Sequence, residues 1–96
     1  MKGYENNKPY KAWIVNHPCT VSDMGCWGAI QPAHVKSRGA GGQDISNIVP
    51  LCTAHHSEQH NAGIKSFQLK YDLDLPLIAS ELGRIWVEEL DYGKNQ

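Results

Sequence analysis

The chain has 96 residues, with nine Lys and Arg against ten Asp and Glu and a formal net charge of −1. That length fits one small domain, residues 1–96, and leaves no room for a second. A 41% hydrophobic and 20% charged composition excludes wholesale disorder, and the near-neutral balance excludes nucleic-acid binding driven by global charge.

No apolar run approaches the roughly 20 residues of a membrane span. The N-terminal residues have no apolar segment of signal-peptide type. A cytoplasmic protein without membrane partners is therefore expected, and disulfides are not. The three cysteines agree, because an odd count leaves one without a partner in the chain. In so small a domain a hydrophobic core alone gives marginal stability, which makes a metal staple worth seeking.

Residues 1–9 are polar and read as a frayed arm. Tyr10 to Asn16 form a short amphipathic helix with Trp13 facing the core, ended by His17-Pro18. Residues 17–62 hold all five His and all three Cys. Within them Ile30 to Lys36 reads as one strand, Ser37 to Gln43 as a glycine-rich loop, and Ile48 to Leu51 as a second strand. Pro50 demotes that second strand to an edge. Thr53 to Ala62 is a helix with Thr53 as N-cap and Gly63 as left-handed C-cap. Residues 64–90 are helical. Ser66 opens a short helix through Tyr71, and Asp74 caps a longer one with Pro76 in its first turn. Ile78, Leu82, Ile85 and Trp86 follow a 3.6-residue period and read as a packing face. The tail from Tyr92 reads as solvent-exposed.

The chemistry concentrates around Cys52-Thr53-Ala54-His55-His56-Ser57-Glu58-Gln59-His60. His56 and His60 are four apart, so a helix puts both imidazoles on one face, in reach of one ion. His55 lies about 100° round the helix and needs another role. Cys52 supplies one, since two residues separate it from His55, the knuckle spacing of a zinc half-site. Cys19 and Cys26 are the remaining cysteines and would complete a four-ligand zinc site. Their six-residue gap is wider than usual, and His17 is an alternative ligand. Idle thiols are the plain alternative.

Ala33-His34-Val35-Lys36-Ser37-Arg38-Gly39-Ala40-Gly41-Gly42, then Asn47-Ile48-Val49-Pro50-Leu51-Cys52-Thr53-Ala54-His55-His56, bring a family into view. The chain resembles the HNH nucleases, most clearly small members from phages and prophages, over roughly residues 11–75. That resemblance implies an α+β fold: a small ββα-metal (His-Me finger) unit with flanking helices, stapled by zinc. It implies that His34 is the general base, that His56 and His60 bind a catalytic divalent ion, and that Asn47 holds the loop and orients His34. It implies a separate structural zinc on Cys19, Cys26, Cys52 and His55. Mg, Mn, Ni or Zn would suit the catalytic position. DNA is the implied substrate and a monomer or homodimer the implied assembly.

Ala33 departs from the family pattern, where many members place a ligating Asp or His. The catalytic ion would then have fewer protein ligands, with Glu58 a candidate to make up the set. Lys36 and Arg38 are candidates to hold phosphates, and Lys2, Lys8 and Lys11 to form a basic arm. Gly39 to Gly42 either admit a close approach of backbone to DNA or simply connect the hairpin. Tyr4, Tyr10 and Trp27 are candidates for stacking, with core or surface placement the simpler reading. The alternative function is a zinc-stabilised nucleic-acid-binding or adaptor module without cleavage.

Overall fold

The computed structural model describes residues 8–36 and 44–94, the side chains of 90–94 excepted. The whole expected glycine-rich loop, Arg38 within it, and Lys2 and Tyr4 therefore lie outside the described residues. The elements run α1 (Lys8–Ile14), β1 (Ile30–His34), β2 (Ile48–Cys52), α2 (Thr53–Ala62), α3 (Ile64–Tyr71) and α4 (Leu75–Lys94). Among the described residues, two antiparallel strands and four helices make an α+β fold.

α1 starts at Lys8, so the last two residues of the expected arm belong to a helix. Pro9 fits there because a first-turn residue has no intrahelical use for an N–H. The helix ends where His17 Nδ1 donates to the Trp13 carbonyl at 2.9 Å, with Pro18 next in the chain. Tyr10 and Ile14, more than Trp13, are the residues α1 buries.

β1 and β2 pair in the register Ile30↔Cys52 to His34↔Ile48, which sets Pro32 opposite Pro50. Two facing prolines are compatible with a ladder only at a non-hydrogen-bonded pair, where backbone groups point outward. The Pro50 carbonyl does so, accepting from both Thr20 N–H and Thr20 Oγ1 at 2.8 Å. The chain after α1 thereby covers the outer edge of β2, and all five β2 residues are buried.

α2 has the expected bounds but a different cap. Cys52 is the N-cap, its sulfur accepting from His55 N–H at 3.4 Å, while Thr53 Oγ1 donates to the Ala29 carbonyl. Gly63 takes φ 90° and ψ 157°, a positive-φ conformation that favours glycine but lies outside the left-handed helical region. As a single-residue link it lets α3 begin at Ile64, two residues before Ser66. Asp72, at φ 55° and ψ 53°, supplies the left-handed cap of α3. Asp74 Oδ1 accepts from Leu77 N–H at 3.1 Å, the expected cap of α4. That helix runs on to Lys94, through the segment expected as tail.

Two apolar clusters form the core. Ala33, Val49, Leu51, Phe67, Leu75 and Ala79 join Cys19, Val21 and Cys52 in the first. Tyr10, Ile14 and Ile48 form the second, with Trp13 and Trp86 packed against it. Leu82 of α4 packs against both. Among the described residues no helix is long and apolar enough to cross a membrane.

Candidate metal centre and adjoining histidine cleft

Cys19, Cys26, Cys52 and His55 converge, their ligand atoms all within 4.8 Å of one another. The His55 Nδ1 atom lies 3.6 Å from Cys19 Sγ, 3.6 Å from Cys26 Sγ and 3.1 Å from Cys52 Sγ. Tetrahedral zinc, with Zn–S near 2.3 Å and Zn–N near 2.0–2.1 Å, sets sulfur and nitrogen about 3.5 Å apart. The donors are therefore spaced to hold one ion, and the donor set is consistent with structural zinc. All three cysteines are free thiols.

Local turns explain how so wide a cysteine gap closes. Ser22 Oγ donates to the Cys19 carbonyl at 2.7 Å, and Cys26 N–H to the Asp23 carbonyl at 3.2 Å. Gly25 N–H donates to Asp23 Oδ1 at 2.8 Å. The gap is wound into turns, which returns Cys26 to the β2–α2 junction. There Gly28 holds φ 86°, and a Cβ on it would meet Thr53 Cβ at 2.5 Å, so only glycine fits.

Burial pushes the Cys19 thiol up to about 11, against the N–H donated by Cys52. Burial acts the same way at Cys52, but the N–H groups of His55 and Trp27 donate to its sulfur and hold it at about 6. The opposite nitrogen of His55, Nε2, lies 3.1 Å from Asp23 Oδ1. A carboxylate on the far nitrogen fixes ring orientation and leaves Nδ1 free to ligate. His17, the alternative ligand, is outside this cluster, bound to the Trp13 carbonyl with its ring edge-on to Trp13.

His34, His56 and His60 line a second feature, an open cleft of about 360 Å³ between β1 and α2. The His56 and His60 rings lie 4.8 Å apart. His56 Nδ1 donates to Gln31 Oε1 at 2.7 Å, which leaves Nε2 as its lone-pair nitrogen. Burial, then the charges His60 and His34 can carry, hold the His56 imidazole below its ordinary range and so neutral. A neutral ring is the form that ligates metal. His34 Nε2 lies 2.9 Å from Oδ1 of the buried Asp44, and Gln59 Nε2 donates to the His34 carbonyl at 3.3 Å.

Asn47 stands outside the cleft. Its Oδ1 accepts from Lys36 N–H at 2.8 Å and its Nδ2 donates to the Lys36 carbonyl at 2.7 Å. This closes the hairpin immediately after His34. The Lys36 side chain is exposed.

Several expectations change. Glu58 is turned to α3, accepting from Lys70 Nζ at 2.6 Å and Tyr71 OH at 2.5 Å, so it adds nothing to the cleft. Tyr10 keeps the simpler of its two readings: it is fully buried in the core, its hydroxyl taking Ser46 N–H. Lys11 lies 3.9 Å from Asp44 rather than on a free arm. Trp27 remains exposed. Asp23, Gln31, Asp44 and Gln59 are contacts that sequence reading missed. Asp44 left one trace there, as an Asp opening the turn whose carbonyl takes Asn47 N–H.

No family model, no curated protein and no solved structure matches this chain.

Proposed function

We propose that the chain is a metal-dependent HNH-type endonuclease acting on DNA, with a ββα-metal unit at residues 30–62 and structural zinc on Cys19, Cys26, Cys52 and His55. The observation that carries this reading is the gathering of His34, His56 and His60 on one cleft between a hairpin and its following helix. His34 is the base. It takes a proton from water as the water oxygen bonds to phosphorus and the P–O3′ bond breaks. The products are a 5′-phosphate and a 3′-hydroxyl, the leaving oxygen taking a proton from solvent. A neutral imidazole suits that step near pH 7. His56 and His60 would hold the divalent ion, Mg, Mn, Ni or Zn, which supplies charge stabilisation on the phosphate. Asn47 keeps the hairpin closed behind His34. Lys36, and Arg38 beyond the described residues, would hold flanking phosphates. A phage or prophage enzyme of the host cytoplasm, nicking as a monomer, fits one cleft per chain.

A second reading, a zinc-stabilised nucleic-acid-binding or adaptor module, is favoured by Ala33. It is fully buried in the apolar core and offers the cleft no donor. Supercoiled-plasmid cleavage separates the two. Conversion to open circles by wild type with an added divalent ion, abolished by EDTA and by His34→Ala, supports the nuclease. No conversion with any of the four ions, while the protein holds zinc and binds DNA, supports the module.

A further inference from the structure

Asp44 is 1% exposed, a depth at which a carboxylate persists only with partners. Its Oδ1 lies 2.9 Å from His34 Nε2, and its Oδ2 lies 3.9 Å from Lys11 Nζ. Asp44 sits three residues before Asn47 in the turn that leads into β2, and His34 ends β1. The dyad therefore spans the two arms of the hairpin. Asp44 Oδ1 thus faces the ring of a histidine that lines the cleft.

A neutral imidazole carries one proton on two nitrogens, and the bond one nitrogen makes decides what the other can do. An ionised carboxylate accepts and does not donate. Facing Asp44, Nε2 must carry the proton, so Nδ1 holds the lone pair. Among the described residues His34 Nδ1 has no hydrogen-bond partner. We infer that Asp44 is the positioning residue of His34: it fixes the ring as the Nε2–H tautomer and presents Nδ1 as the basic atom. The inference rests on the nuclease reading for what Nδ1 does, but not for the tautomer itself. Asp44 then also stabilises the imidazolium that forms when Nδ1 takes a proton, as a carboxylate beside a catalytic histidine does elsewhere.

The test pairs a spectroscopic reading with a kinetic one. The full chain, zinc-loaded and ¹⁵N-labelled on histidine, is compared with Asp44→Asn and Asp44→Glu. The pH is held above the imidazole range, and circular dichroism checks that each protein is folded. The expected wild-type signals show His34 protonated on Nε2. Asp44→Asn, whose amide can turn its NH₂ toward the ring, should shift the population toward Nδ1–H. Its plasmid cleavage should fall by about 10²-fold or more, and Asp44→Glu should recover part of it. A wild-type His34 protonated on Nδ1 overturns the inference even if both variants fail to fold. So does an Asp44→Asn protein whose tautomer and cleavage rate match wild type. A wild type with the Nε2–H tautomer and no cleavage with any divalent ion upholds the assignment of Asp44 and overturns the nuclease reading.

Discussion

His55 and His56 are neighbours in the chain and serve different clusters. The ring of His55 reaches Cys52 Sγ at 3.1 Å, while the ring of His56 reaches Gln31 Oε1 at 2.7 Å. The division follows from the roughly 100° between successive helical residues. One turn of α2 therefore faces a sulfur-rich pocket on one side and an open cleft on the other.

The first expected outcome concerns the sulfur side. Purified protein should carry about one tightly held zinc. Cys52→Ser removes the thiolate from the metal centre, while its hydroxyl can still accept the His55 and Trp27 N–H groups. It should lose the zinc and unfold or aggregate, because metal affinity and folding are coupled in so small a domain. Metal analysis and circular dichroism read the result. A folded, zinc-free Cys52→Ser protein would sink the assignment.

On the cleft side, Gln31→Leu removes the acceptor that holds His56 Nδ1–H and keeps the side chain's bulk. Loss of a partner behind a ligating histidine typically costs 10–100-fold in metal affinity. Calorimetric titration of the zinc-loaded protein with Mn or Ni should show about that loss, with little change in Tm. Unaltered affinity would mean that His56 does not ligate through Nε2.

Asn47 tests the hairpin closure. Its two bonds to Lys36 each contribute about 0.5–1.5 kcal/mol by the usual accounting. Asn47→Ala should therefore lose about 1–3 kcal/mol of stability by denaturant titration. Its cleavage should fall further than that loss explains, because the clamp lies next to His34. Stability lost with the cleavage rate of the folded protein intact would confine Asn47 to a structural role.

The donors of the metal centre were legible because cysteine and histidine are few and their chemistry restricts them. The i,i+4 spacing of His56 and His60 was legible because α2 has the expected bounds, Thr53 to Ala62. Asp23, Gln31 and Asp44 were not. Each is an ordinary polar residue that acquires its role from a ring brought to it by the fold. Pairs such as Gln31 and His56 lie 25 positions apart, and nothing local marks the partnership. Tyr10 shows the converse: an aromatic near the N-terminus looks available until α4 closes over it with Trp86.

Gly83 of α4 constrains the turn that leads into β2. A Cβ built there would lie 2.9 Å from Ser46 Cα, a backbone atom, and closer still to Ser46 Oγ. Ser46 itself holds φ 66° in the turn between Asp44 and Asn47. The turn that carries Asp44 and Asn47 is thus pressed against a bare stretch of α4. Gly83→Ala gains helix propensity, worth about 1 kcal/mol in an open helix, but here the turn or the helix must move. Overpacking of this kind costs about 1–3 kcal/mol, so the net change should be a Tm lowered by several degrees. Gly83→Val should lower it more. A raised Tm for Gly83→Ala would show that the turn yields freely, and that α4 does not set the placement of Asp44.

Glu58 gives the pH test. Its hydrogen bond from Lys70, and then that from Tyr71, hold the carboxyl below its ordinary 4.5. A carboxyl depressed in the folded state contributes stability above the unfolded value, and that contribution is lost as pH falls through the folded one. Glu58→Gln removes the charge at every pH. The Tm difference between wild type and Glu58→Gln should therefore be steady from neutrality down to about pH 5 and shrink below about pH 4. Because the Lys70 partner is exposed, added salt should also narrow the difference near neutral pH. A difference that grows on acidification would mean the carboxyl is raised on folding, and that α3 is not tied to α2 through this pair.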